Sequence, residues 1–213
     1  MADDRTINYT KGRGSQVHPH NKFRKHEYVQ EHFEALDEEL YSDPKTEIYY
    51  EHPKKIINKV DSPDIGMDLS MNPYQGCEHG CIYCYARNTH EYYGFSAGLD
   101  FESKIIVKKN APELLEKAIL HPKWQPVPIM LSGNTDCYQP LERKFQITRK
   151  MLQVMGRYRH PVSIISKNSL ITRDIDVLQD LAKDNLVHVM MSITTLNEDL
   201  RRAMEPRTAS GLK

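Results

Sequence analysis

From residue 66 onward, short apolar runs alternate with amphipathic stretches, and few architectures accommodate that alternation. "GMDLSM" (66–71) reads as a strand. "APELLEKAIL" (111–120) reads as a helix, with Leu114, Leu115 and Ala118 on one face. "VPIMLSG" (127–133) reads as a buried strand, and "PVSIISK" (161–167) and "LVHVMMSIT" (186–194) read as strands. The stretches 148–158, 174–184 and 197–204 read as the helices between and after them, with Asp174 as an N-cap. Apolar strands alternating with helices are the mark of parallel β/α units. Each apolar run ends in polar residues: "SGNTD", "SKN" and "SITT". In parallel β/α folds the carboxyl ends of the strands carry the functional groups.

The composition divides the chain near residue 65. Residues 1–65 form a polar amino-terminal extension, rich in His, Lys and Tyr, and residues 66–213 form the β/α part. Within the extension Val29, Phe33, Leu36 and Leu40 recur at helical spacing. Lys11, Arg13, Lys22, Arg24 and Lys25 make a basic arm, with Gly12 and Gly14 between them. Such an arm either contacts phosphates or simply faces water, and charge runs usually face water. The 29 basic and 29 acidic residues cancel, so global charge gives no argument for a nucleic-acid or membrane partner. No apolar run approaches a membrane span. The first thirty residues hold no apolar block, so no signal peptide is expected. A reducing, cytoplasmic setting follows as the expectation, in which clustered cysteines bind metal or do redox work rather than form disulfides.

Three of the four cysteines, Cys77, Cys81 and Cys84, fall within "GCEHGCIYC" at C-x3-C-x2-C spacing. Thiolates bind zinc or iron–sulfur clusters. A structural zinc site needs four ligands, with His79, His90 or Cys137 as the available fourth. A cubane cluster needs only these three, with one iron left open to a substrate or second cofactor. Gly76 and Gly80 allow the loop to turn tightly. The zinc alternative implies a non-catalytic module that holds nucleic acid through the basic arm and the tyrosines.

The motif with Tyr83 before its last cysteine resembles the radical S-adenosylmethionine (SAM) enzymes. The wider stretch from "SPDIGMDLSMNPYQGCEHGCIYCYARN", with "NTDCYQPLE", "SITT" and "EPRT", resembles the bacterial subgroup related to spore photoproduct lyase. The resemblance implies a partial parallel (β/α) barrel of TIM type. It also implies a 4Fe–4S cluster whose fourth iron is chelated by S-adenosylmethionine, and a one-electron donor such as a flavodoxin or ferredoxin. Reductive cleavage of that cofactor would yield a 5'-deoxyadenosyl radical, which abstracts hydrogen from a substrate, with nucleic acid as one candidate class.

The resemblance carries over residue by residue. Tyr83 matches the adenine contact, against a plain packing role. Thr135 and Asp136 match a polar pair near the methionine moiety, against a turn or cap. Lys167 matches the lysine that meets the cofactor carboxylate, and Ser192 a further contact. Tyr85 resembles a tyrosine implicated in hydrogen transfer. Two departures stand out. Gly133 takes the place of the lyases' hydrogen-donor cysteine, while Cys137 follows Asp136 instead, so the lyase reaction itself does not carry over. And eight barrel units take about 250 residues, so 66–213 holds four or five, the expected amino-terminal half of a longer barrel.

Overall fold

The structure, a computed structural model, describes residues 10–19, 21–23, 46–61 and 66–211. The helix read from Val29 to Leu40, and Arg24 and Lys25 of the basic arm, lie outside the described residues. Early strands are β1 (Glu47–Tyr50), β2 (Ile57–Lys59), β3 (Leu69–Met71) and β4 (Tyr74–Gln75). After a 3-10 segment at Tyr85–Tyr93 come α1 (Asp100–Ser103), β5 (Lys104–Val107) and α2 (Ala111–Ile119). Then follow β6 (Ile129–Leu131), α3 (Glu142–Phe145), α4 (Ile147–Arg157) and β7 (Val162–Ser166). The last elements are α5 (Ile175–Ala182), β8 (Val187–Met191) and α6 (Glu198–Met204).

The main sheet has the order β2-β3-β6-β7-β8. β3, β6, β7 and β8 are parallel, and β2 runs antiparallel to β3. The register aligns Leu69, Ile129, Val162 and Val187 in one row and Met71, Leu131, Ile164 and Val189 in the next. These rows pack on helices with matching periodicity. Leu115 of α2 and Met151, Leu152 and Met155 of α4 are fully buried in the same cluster as Leu131 and Ile164. Each such side chain removed from water contributes about 1.5–3 kcal/mol. β8 is different: its side chains are half-buried or exposed, because it is the edge of the sheet. The described strands form an open α/β arrangement with mixed sheets, and no closed barrel occurs among them.

A second, three-stranded sheet has the order β1-β5-β4. Its β1 pairs in parallel with β5, and β2 of the main sheet pairs with β3, so the chain before residue 65 already contributes two strands. Polarity read along the sequence does not register such pairing. The basic arm divides as well. Lys11 and Lys22 are exposed, but Arg13 is buried and donates through Nη1 to the Glu102 carbonyl at 2.6 Å. The expectation of a wholly solvated arm is therefore corrected at Arg13.

Asp174 also departs from expectation. It stands at the start of α5 but makes no capping bond there. Its fully buried carboxylate instead accepts from Arg149 Nη1 at 2.9 Å, from Arg173 Nη2 at 2.7 Å and from Tyr138 Oη at 3.1 Å. Arg173 also reaches Glu142, another fully buried carboxylate, at 2.7 Å. Buried charge demands partners, and a cap alone would have left half of this carboxylate unsatisfied. No helix among the described residues is long and apolar enough to cross a membrane.

Candidate functional site

The cysteine loop leaves the carboxyl end of β3, passes through β4, and turns twice through glycines. Gly76 has φ 81° and Gly80 φ 68°, backbone that side chains adopt only with strain. Space is short as well. A Cβ on Gly80 would lie 2.8 Å from Glu102 Oε2, and one on Gly14 would lie 1.7 Å from the Gly80 carbonyl oxygen. The amino-terminal segment thus packs directly against the loop. Its Gly14 and Ser15 N–H groups donate to the two Glu102 carboxylate oxygens, at 2.9 and 2.7 Å.

The loop backbone is bound from several parts of the chain. Cys77 N–H donates to the Phe101 carbonyl at 2.8 Å, and Glu78 N–H to Gln139 Oε1 at 3.0 Å. Gln139 Nε2 returns a bond to the Gly76 carbonyl at 3.1 Å. Ile82 N–H donates to the Met204 carbonyl at 3.0 Å, and Arg207 N–H to the His79 carbonyl at 3.2 Å. Arg87 grips the Cys81 carbonyl through Nε and Nη2.

Below the loop lies a cavity of about 280 Å³. Cys77, Cys81 and Cys84 line it together with Tyr83, Tyr85, Thr135, Asp136, Lys167 and Ser192, so the three cysteines and the cofactor-site residues matched by the resemblance face one space. The polar wall comes from the ends of β6, β7 and β8, where the sequence placed it. Cys77 and Cys81 are buried and Cys84 half-buried. Burial pushes the Cys81 thiol up to about 12, with Glu205 and Cys84 adding to it. Burial, then Asp136 and Cys81, push Cys77 well above the ordinary range. Thiolates at these positions need a positive partner, which is what a metal supplies.

Asp136 is already well supplied with donors. It accepts from Ser166 Oγ at 2.9 Å, Lys167 N–H at 2.7 Å and Tyr138 N–H at 2.9 Å. His79 Nδ1 stands 3.4 Å away. Thr135 is the opposite case: its Oγ1 is buried against the cavity without a hydrogen-bond partner. Lys167 Nζ bridges Ser192 Oγ at 2.7 Å and Glu205 at 3.0 Å. Burial alone would lower the Lys167 pKa, but the Glu205 and Tyr83 bonds outweigh it and raise it. Tyr83 donates to Glu205, and Tyr85 to the Gly133 carbonyl. Glu205 received no role from the sequence, although "EPRT" was visible as a motif. Only the fold brings it to Tyr83 and Lys167.

The candidate fourth zinc ligands are placed elsewhere or otherwise engaged. His79 has Asp136 on Nδ1 and Asn168 Nδ2 at 3.1 Å on Nε2. His90 does not line the cavity and packs against Phe95 and Phe101. Cys137 is fully buried in the main hydrophobic cluster. Among the described residues no three His, Cys, Asp or Glu side chains converge on a single ion. A zinc ion needs all its ligands within about 2.3 Å. Three thiols on one cavity, with the candidate fourth ligands engaged or elsewhere, suit a cluster better, because each thiolate there binds a different iron. The unpartnered Thr135 hydroxyl and the open polar wall likewise suit a bound polar cofactor.

The chain is 32% identical over 156 residues to an uncharacterized protein of Mycobacterium tuberculosis, covering 73% of this chain and 46% of the relative. It is 31% identical over 169 residues to an uncharacterized protein of Methanocaldococcus jannaschii, covering 79% and 60%. A protein of Acidianus two-tailed virus is 27% identical over 160 residues, covering 71% and 52%. The chain spans about half the length of these curated relatives. No solved structure matches it. The Radical SAM superfamily pattern matches residues 71–211, from the end of β3 through the cysteine loop and the polar strand ends to the turn after α6. The chain therefore belongs to the radical SAM superfamily, whose members work with a 4Fe–4S cluster and S-adenosylmethionine.

Proposed function

We propose that the protein is a radical SAM enzyme of the spore photoproduct lyase-like type, acting by hydrogen abstraction in a reducing, cytoplasmic compartment. The observation that carries this reading is the shared cavity of the three cysteines and the polar strand ends. Cys77, Cys81 and Cys84 hold the cluster. When bound, the cluster and S-adenosylmethionine supply a 5'-deoxyadenosyl radical. The chain's own residues bind, orient and shield. Thr135 offers its free hydroxyl to the methionine end, beside Lys167 and Ser192. Asp136 fixes that wall through Ser166, Lys167 and His79. Tyr83 closes the side nearest α6 through Glu205. Tyr85, whose hydroxyl donates to the Gly133 carbonyl in the cavity wall, takes part in the hydrogen transfer. A flavodoxin or ferredoxin supplies the electron.

Anaerobic reconstitution with iron and sulfide tests this reading. The expected result is brown protein with about four irons per chain, and dithionite-driven release of 5'-deoxyadenosine. Alanine at Cys77, Cys81 or Cys84 abolishes both, while Cys137→Ala leaves both intact. Stoichiometric zinc without iron, or cluster loss in Cys137→Ala, refutes it.

A further inference from the structure

A second concavity, of about 530 Å³, lies between β2 and α2. It shares no lining residue with the cysteine cavity. Its position is also different. Lys59 pairs with Leu69 at the start of β3 and Ile57 with Met71 at its end, and Trp124 lies in the loop that leads into β6. The groove therefore runs along the β2 edge of the main sheet, beside α2, whereas the cysteines sit at the carboxyl ends of the strands.

Five lysines line it, Lys54, Lys55 and Lys59 on one wall and Lys117 and Lys123 on the other, and no carboxylate does. All five are exposed. None forms an ion pair among the described residues. In a chain of zero net charge this is a local concentration of cations. The floor is apolar, with Ile57, Leu69 and Leu114. Trp124 completes it. Its indole N–H donates to His160 Nε2 at 3.0 Å, which fixes the ring and leaves its apolar surface as what it offers the groove. Lysines on an edge strand such as β2 also discourage strand pairing, but Lys117 and Lys123 lie on α2 and the loop after it, where there is no edge to protect.

We infer that this groove binds single-stranded nucleic acid, with phosphates on the lysine walls and one base against Trp124 and the aliphatic floor. A cationic groove with an aromatic stacking surface is what a single strand needs. An acidic peptide would use the lysines but leave the indole and the floor without a function. A membrane surface would need its apolar groups protruding, and here they are recessed. An acidic electron donor would likewise use the lysines and leave the indole and the floor without a function. The site is thus a tether that shares no residue with the cavity, and the inference stands independently of the proposed reaction.

Trp124 is the sole tryptophan of the chain, so its emission reports on the groove alone. Titration of the full chain with a short oligothymidylate should quench it saturably. For three to five phosphates contacted, affinity should fall about 10- to 100-fold between about 50 and 200 mM salt. Glutamate at Lys54, Lys55 and Lys59 together should weaken binding at least tenfold, and so should glutamate at Lys117 and Lys123. Both variants should take up iron on reconstitution as the unsubstituted chain does, which shows that they fold. Absence of quenching, quenching that survives in both variants, or equal affinity for thymidine monophosphate, for the duplex or for polyglutamate would each overturn the inference.

Discussion

Gly80 and Thr135 show how much depends on single atoms. Gly80 combines a left-handed backbone with a Cβ position 2.8 Å from Glu102 Oε2. Gly80→Ala should therefore cost about 1–2 kcal/mol in backbone strain alone, plus displacement of Glu102 from Gly14 and Ser15. Iron retained after reconstitution, set beside the melting temperature, checks this. Unchanged iron uptake would show the loop to be more tolerant than its packing implies. Thr135 should respond in two directions. Its buried hydroxyl has no partner, and leaving such a group unmade costs about 1–3 kcal/mol. Thr135→Val should leave the cofactor-free protein as stable or more stable, yet weaken S-adenosylmethionine binding. Denaturant midpoints and calorimetric titration measure the two effects separately, and a destabilised apoprotein would contradict the argument. The cysteines and the polar strand ends were legible because both are local patterns. Glu205, Gln139 and Glu102 were not, since their partners lie 122, 61 and 88 positions away.

At the scale of elements, α4 and α5 were readable from periodicity, as were the apolar runs of β6 and β7. β1, β4 and β5 were not. They have four, two and four residues, too few for a periodic signal, and they pair at long range, β1 with β5 across more than fifty positions and β4 with β5 across more than thirty. The start of α5 was misread for a related reason. Asp174 has the residue type of a cap, but the burial that makes it a charge partner exists only in three dimensions. Breaking one member of a buried ion pair typically costs about 3–5 kcal/mol. Arg173→Met, which strips Glu142 and Asp174 of a shared cation, should fall in that range by urea denaturation. A loss below 1 kcal/mol would mean that Arg149 alone suffices. A neighbouring contact adds a pH dependence. The Arg149 hydrogen bond holds exposed Asp176 down to about 2. A depressed carboxylate stabilises above its unfolded pKa, about 3.9, and that contribution disappears as pH falls toward 2. Arg149→Gln should flatten the part of the acid stability profile due to Asp176, read as melting temperature between pH 5 and 2. An unchanged profile would remove Asp176 from the account.

The whole molecule is organised around a loop that holds little apolar contact of its own. Its second buried cluster contains only Cys77, Ala86 and Phe101, with Cys84 packed against it. Rigidity comes instead from bonds to segments far apart in the chain. Arg13 is one remote support, since it donates to the backbone of Glu102 and to Thr46. Arg13→Ala should cost about 1–3 kcal/mol through the unsatisfied Glu102 carbonyl. It should also lower iron retention while far-UV circular dichroism, dominated by the main sheet and helices, stays the same. A variant that keeps its iron would show that the arm is dispensable to the loop. The positions of these supports also bear on how the protein is made. The Gly80 turn is backed by Gly14, Cys77 is tied to Phe101, Glu78 to Gln139, and His79 to Arg207. During synthesis the thiols leave the ribosome long before Gln139 and Arg207 do. Until then the nascent loop has its sulfurs but not its frame, so metal delivery belongs after the last of these residues has emerged.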